Sequence, residues 1–108
     1  MVVITANTAG GTLNGTARRD IFNLGDGVDR VNLLRDGKTD SVFGFDNGID
    51  KIDLTNFSVN WSEVQVKYKG SGEFVITIRG ERTKVTFKQP SDGSEITQDF
   101  LGADDFIF

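Results

Sequence analysis

Four aspartates recur at near-regular intervals in the first half of the chain: Asp20, Asp29, Asp40 and Asp50, at steps of 9, 11 and 10 residues. Each opens a similar segment: D-I-F-N-L (20–24), D-R-V-N-L (29–33), D-S-V-F-G (40–44) and D-K-I-D-L (50–54). An apolar residue always stands two places after the aspartate. Upstream, G-T-L-N-G (11–15) has the same shape with Gly11 in the aspartate's place. Carboxylates that such a repeat brings to a common edge repel one another. A hard divalent cation relieves that repulsion, because Ca2+ accepts six to eight oxygens from carboxylates and backbone carbonyls. Turn glycines let carbonyls converge on such an ion.

Other chemistry is excluded by composition. The chain has no Cys and no His, so disulfides, thiol catalysis, Cys/His zinc sites and His-dependent catalytic triads are ruled out. A carboxylate pair could hydrolyse a glycoside. The regular aspartate spacing is accounted for by metal ligation, however, and no pocket-forming insertion interrupts the repeat. No catalytic residue is assigned, and the chain is read as non-enzymatic.

The elements that must position these aspartates follow from the period. A short strand with alternating apolar residues buries one face, and a glycine-rich turn every 9 to 11 residues sends the next strand back across a second sheet. Phe22 with Leu24, Val31 with Leu33, and Ile52 with Leu54 would stack into a narrow core, each rung touching mainly its neighbours. Asp29 and Asp50 then share one edge, and Asp20 and Asp40 the other. At 108 residues, 37% hydrophobic and with 13 glycines, the chain suits one turn-rich domain with a lean core.

Residues 25–31, G-D-G-V-D-R-V, fit G-x-G-x-D-x-U, and 46–52, D-N-G-I-D-K-I, fit with Asp46 for the first glycine. The segment resembles a degenerate form of the calcium-binding nonapeptide of the repeats-in-toxin family. That resemblance implies a secreted module with a short parallel β-roll, a β-helix-like solenoid, over about residues 7–56. It assigns Ca2+ to Gly25, Gly27, Asp29, Asp46, Gly48 and Asp50, the glycine positions offering carbonyls. Asp20 and Asp40 form the weaker edge, since Arg18 and Arg19 bring positive charge there and an insertion displaces Gly37.

Residues 64–69, 73–79 and 83–88 alternate strictly, separated by G-S-G (70–72) and G-E-R (80–82). This predicts an antiparallel meander within 57–100 that caps the roll, making the whole chain all-β. Its apolar face carries Val64, Val66, Tyr68, Phe74, Ile76, Ile78, Val85 and Phe87. Residues 67–88 hold six Lys and Arg against two Glu in a chain of net charge −4. The strip Lys67, Lys69, Arg79, Lys84 and Lys88 could attract a polyanion. No nucleic-acid motif is present and the acidic roll would repel nucleic acid, so an acidic polysaccharide is the better partner.

The ending L-G-A-D-D-F-I-F (101–108), with F-D-N-G-I-D-K-I-D-L (45–54), is similar to the carboxyl ends of serralysin-type metalloproteases and mannuronan C5-epimerases. The resemblance implies a single C-terminal module, residues 1–108, following a catalytic domain in a larger exoprotein. It further implies a type I secretion signal at Asp105, Phe106, Ile107 and Phe108, and extracellular placement. The alternative it suggests is a binding module for an alginate-like polysaccharide. The start, M-V-V-I-T-A-N-T-A-G, lacks the features of a cleavable signal peptide, and no stretch approaches the roughly 20 apolar residues of a membrane-spanning helix.

Overall fold

Successive strands alternate between two sheets. The structure, a computed structural model, describes residues 2–6, 9–25, 27–34, 39–46, 49–88 and 95–108. Its strands are β1 (Val2–Thr5), β2 (Gly10–Asn14), β3 (Asp20–Asn23), β4 (Val28–Asn32), β5 (Asp40–Phe45), β6 (Lys51–Asp53), β7 (Val64–Gly70), β8 (Glu73–Ile78), β9 (Glu81–Phe87) and β10 (Phe106–Ile107). The odd strands β1, β3 and β5 pair in parallel and belong to a six-stranded sheet ordered β1-β3-β5-β9-β8-β7. The even strands β2, β4 and β6 pair in parallel in a four-stranded sheet, ordered β10-β6-β4-β2. Among the described residues there are 3-10 turns but no α-helix, so the fold is mostly β.

The strands are three to six residues long in this part because each carries only one or two core side chains. Phe22, Val31, Val42 and Ile52 point inward and are fully buried, and Leu33 and Leu54 follow them just past their strands. Leu24 is only half-buried. Gly44, at a φ of 78°, sits where the pairing of β5 with β9 shifts register between Phe43 and Phe45. The bulge turns Phe45 into the core and leaves Phe43 exposed.

The second half is antiparallel as expected, with tighter turns. Ser71 and Gly72, then Arg79 and Gly80, all have positive φ, so each hairpin closes through a two-residue loop rather than the three residues its sequence suggested. Positive φ at both central positions is the twist-matched hairpin geometry. The meander does more than cover an end. Strand β9 pairs in parallel with β5, with Val42 beside Val85 and Asp40 beside Thr83, so it extends one of the two sheets directly. The matching end of the other sheet is taken by β10, which pairs with β6.

One core runs through both halves. Phe87 packs against Phe45 at 5.1 Å, Phe74 at 5.2 Å and Phe100 at 5.8 Å between ring centroids. Such aromatic contacts bind the β5–β9 junction with directional packing beyond simple burial. Of the expected apolar face, Val66 and Tyr68 remain half-buried because they lie on β7, at the sheet's edge. That edge is blunted by one side chain: the Gln98 amide accepts from Tyr68 N–H at 3.0 Å and donates to the Val66 carbonyl at 3.3 Å. It occupies the place of a neighbouring strand.

Rung stacking is closest at Gly27. A Cβ there would lie 2.4 Å from the backbone nitrogen of Gly10, and one on Gly10 would lie 2.3 Å from the Val28 carbonyl oxygen. Gly27 is thus required by the approach of two backbones. Gly27→Ala is expected to destabilise the fold by about 1–3 kcal/mol, because backbone cannot yield as a side chain would. Urea unfolding should show a lower midpoint at unchanged slope; an unchanged midpoint would refute the close stacking.

A candidate cation site at the Asp29–Asp50 edge

Each repeat aspartate stands within one residue of the start of a strand, with its side chain turned inward. Asp20, Asp29, Asp40 and Asp50 are all buried, at 2% exposure or less. The structure brings them together in the two pairs expected from the repeat. In the six-stranded sheet, the Asp20 N–H donates to Asp40 Oδ1 at 2.8 Å. In the four-stranded sheet, the Asp29 N–H donates to Asp50 Oδ1 at 2.9 Å. One rung's carboxylate therefore accepts from the backbone of the rung before it. Sequence reading took these groups only as ion ligands and missed this role.

A second source of donors is local, four residues upstream. Asp20 accepts from the Thr16 N–H at 2.7 Å and its hydroxyl at 2.6 Å. Asp50 Oδ2 accepts from the Asp46 N–H at 2.8 Å. The corresponding residue for Asp29 is Gly25, which has no hydroxyl to offer and whose N–H does not reach the carboxylate. Both Asp29 carboxylate oxygens are buried and have no hydrogen-bond partner among the described residues. A buried carboxylate without donors is among the costliest groups a fold can hold.

The neighbourhood sharpens that cost. Burial pushes the Asp50 carboxyl above its ordinary value of 3.8, despite the N–H groups of Asp29 and Asp46 pulling it down, and the charges of Asp29 and Asp46 push it further up. A folded-state value above the unfolded one means that Asp50's contribution to stability declines as pH rises from about 3.8. A divalent cation would reverse this balance for the whole group. Among the described residues, no three Asp, Glu, His or Cys side chains form a ready metal cluster. A cation at Asp29 would have to draw on carbonyl oxygens as well, as Ca2+ readily does. Gly25 and Gly27 flank the site in sequence, and Gly48 lies outside the described residues.

The Asp20–Asp40 edge is different. The Asp20 carboxylate is satisfied by Thr16, and Asp40 is engaged with the Asp20 backbone. Among the described residues, no orphaned side-chain oxygen remains there to recruit an ion.

At the end of β6, Asp53 anchors the four-stranded sheet. It accepts from the Thr55 N–H at 2.8 Å and hydroxyl at 2.7 Å, and from the Arg30 guanidinium of β4. The tail joins the same strand: Leu54 N–H donates to the Ile107 carbonyl at 2.8 Å, and Lys51 donates to the Asp104 carbonyl. Asp105 is buried and accepts from the Gly102 N–H, and Phe106 stacks against Trp61 at 5.5 Å, while Phe108 stays exposed.

Of the basic residues singled out in the sequence, Lys67, Lys69 and Lys84 project from one face of the six-stranded sheet into a groove of about 810 Å³. Arg79 lies in a hairpin turn, ion-paired with Glu63 at 3.2 Å, and neither it nor Lys88 lines the groove. Arg82 and Arg19 do. The period-2 alternation of β9 places Arg82 with Lys84 and was the available signal for it. The chain matches no family model, and neither a curated protein nor a solved structure shows a significant match to it.

Asp53 supplies a pH test of the β4–β6 interface. Burial raises its carboxyl, but hydrogen bonds from Thr55 and the Arg30 charge outweigh that and hold it below 3.8. Its stabilisation is then present above pH 3.8 and lost as pH falls through its lower folded-state value. Asp53→Asn is expected to cost about 1–3 kcal/mol at pH 7, since Arg30 is half-exposed and part of its charge is solvated. In urea titrations the gap from wild type should close as pH falls below 3.8; a gap independent of pH would refute the assignment.

Proposed function

We propose that this chain is a non-catalytic, calcium-binding β-roll module of the repeats-in-toxin kind, and that Ca2+ binds at the Asp29–Asp50 edge. The observation that carries the reading is the Asp29 carboxylate, 1% exposed with both oxygens unpartnered among the described residues. Alternation of parallel strands between two sheets, one aspartate per rung, is the arrangement this reading requires. Asp29 and Asp50 would supply carboxylate oxygen, with the carbonyls of Gly25, Gly27 and Asp46, and of Gly48 as the resemblance implies, as further ligands. The ion offsets charge that the fold otherwise buries without compensation.

Such a module couples folding to calcium. In low calcium, repulsion and the orphaned carboxylate leave the four-stranded sheet loose. At extracellular calcium, binding to the folded state alone stabilises it. This serves a larger exoprotein that passes a type I secretion apparatus unfolded and folds outside. The terminal Asp105-Phe-Ile-Phe would act as the signal while the chain is unfolded and become the last strand, β10, once it folds.

The test is thermal unfolding of wild type and Asp29→Asn in chelator and in calcium. At 100 times the dissociation constant, calcium should stabilise wild type by about 2.7 kcal/mol, a rise of more than about 10 °C for a domain of this size. Asp29→Asn should lose that rise. In chelator it should be at least as stable as wild type, because it removes an unpaired buried charge. Wild type indifferent to calcium, or a variant equally destabilised in both conditions, would sink the proposal.

A further inference from the structure

The groove on the six-stranded sheet gathers cations from distant parts of the chain. Lys67 and Lys69 stand on β7, Arg82 and Lys84 on β9, and Arg19 immediately before β3. Arg19 reaches this face only because β9 joins β5 in parallel, which sets the meander beside the aspartate repeat. All five are exposed, none makes an ion pair among the described residues, and no carboxylate lines the groove. In a chain of net charge −4, five uncompensated cations in one concavity form a local field opposite to that of the whole protein.

Their layout describes the partner. In the order β3-β5-β9-β8-β7, the three basic columns are each two strands apart. At 4.7–4.9 Å per strand, they lie about 10 Å apart and span about 20 Å across the sheet. Register places Lys67, Val75, Lys84 and Ser41 side by side and continues to Ile21 on β3, so Lys67 and Lys84 share a row perpendicular to the strands and Arg19 lies two residues along the chain from it. An extended polymer with recurring negative charge fits this array better than a single small anion does.

Between the cations the lining is uncharged: the hydrogen-bonding side chains of Thr39, Ser41, Gln65 and Thr77, together with Val66 and Val75. Among the described residues no aromatic side chain lines it, and single-stranded nucleic acid depends on aromatic platforms for its bases. A second copy of this chain is a poor occupant as well, because its repeat aspartates are buried. We infer that the groove binds a linear acidic polysaccharide, a polyuronate, with carboxylates on the three basic columns and sugar hydroxyls on the residues between them. This site is independent of the cation site: it lies on the other sheet and uses none of its residues.

The experiment is calorimetric titration of the intact chain with polygalacturonate, using dextran, single-stranded DNA and polyglutamate as comparisons. Polygalacturonate should bind, with affinity falling as salt rises from 50 to 200 mM, and dextran should not. Arg19→Glu/Lys67→Glu/Lys84→Glu should weaken binding by about tenfold or more. Arg79→Ala and Asp29→Asn should leave it unchanged. Circular dichroism checks that each variant folds; should the triple variant not fold, Arg19→Gln alone is expected to weaken binding by about twofold. Calcium bridging would be abolished by chelator yet blind to the Arg19, Lys67 and Lys84 substitutions, and that pattern would overturn the inference. So would equal weakening by Arg79→Ala, or DNA or polyglutamate binding as tightly as polygalacturonate.

Discussion

The fold turns on one interaction, a carboxylate at the head of a strand accepting the backbone N–H of the rung before it. Asp40 does this for Asp20, and Asp50 for Asp29. A backbone donor at a strand's start has no partner in its own ladder, and a buried N–H must find one. The aspartate supplies it and links the rungs at the same time. The cost is a buried charge per rung, tolerable only where each carboxylate has several donors. That requirement explains the local pattern as well, in which the residue four places upstream donates to Asp20 and to Asp50.

Around this ladder the two sheets finish differently. The first column runs Asp20, Asp40 and then Thr83 of β9, so the charges stop where the meander begins. Thr83 is buried, and a third carboxylate there would have added repulsion at the junction that Phe87 and Phe45 seal. The second sheet ends in β10, a two-residue strand whose preceding turn is tied down by Asp105 and Lys51. The meander adds a long antiparallel surface to one sheet only, and that surface becomes the exposed basic face.

Much of this was legible in the sequence because it is periodic. The aspartate steps fixed which residues share an edge, and alternation over 64–88 fixed the meander and its inward face. What periodicity does not encode is what was missed. Arg19 reads as a hindrance beside Asp20, yet adjacent residues on a strand point to opposite faces. One is therefore buried in the ladder while the other lines the groove with Arg82 and Lys84, across a junction set by the long-range β5–β9 pairing. Arg79 reads as part of the strip because the hairpin seemed to need three loop residues; a two-residue turn moves it out of the sheet to Glu63. The Gln98 contacts with β7 span 30 and 32 residues, with no local signal. The glycine at 27 was rightly marked, but for torsional freedom and carbonyl access, whereas what it meets is the Gly10 backbone.

The four aspartates thus look equivalent in sequence and are unequal in structure, and the difference lies in the donors that reach each carboxylate. Thr16 gives Asp20 two donors, and Asp46 gives Asp50 one that adds to the N–H of Asp29. Gly25, in the same relation to Asp29, has a backbone N–H as Asp46 does, but that N–H does not reach the carboxylate, and glycine adds no hydroxyl of the kind Thr16 supplies. A threonine-like residue there could bring that hydroxyl to the second column as Thr16 brings it to the first. Without either donor the Asp29 carboxylate stays open, and the demand for a cation falls on that one place in the ladder.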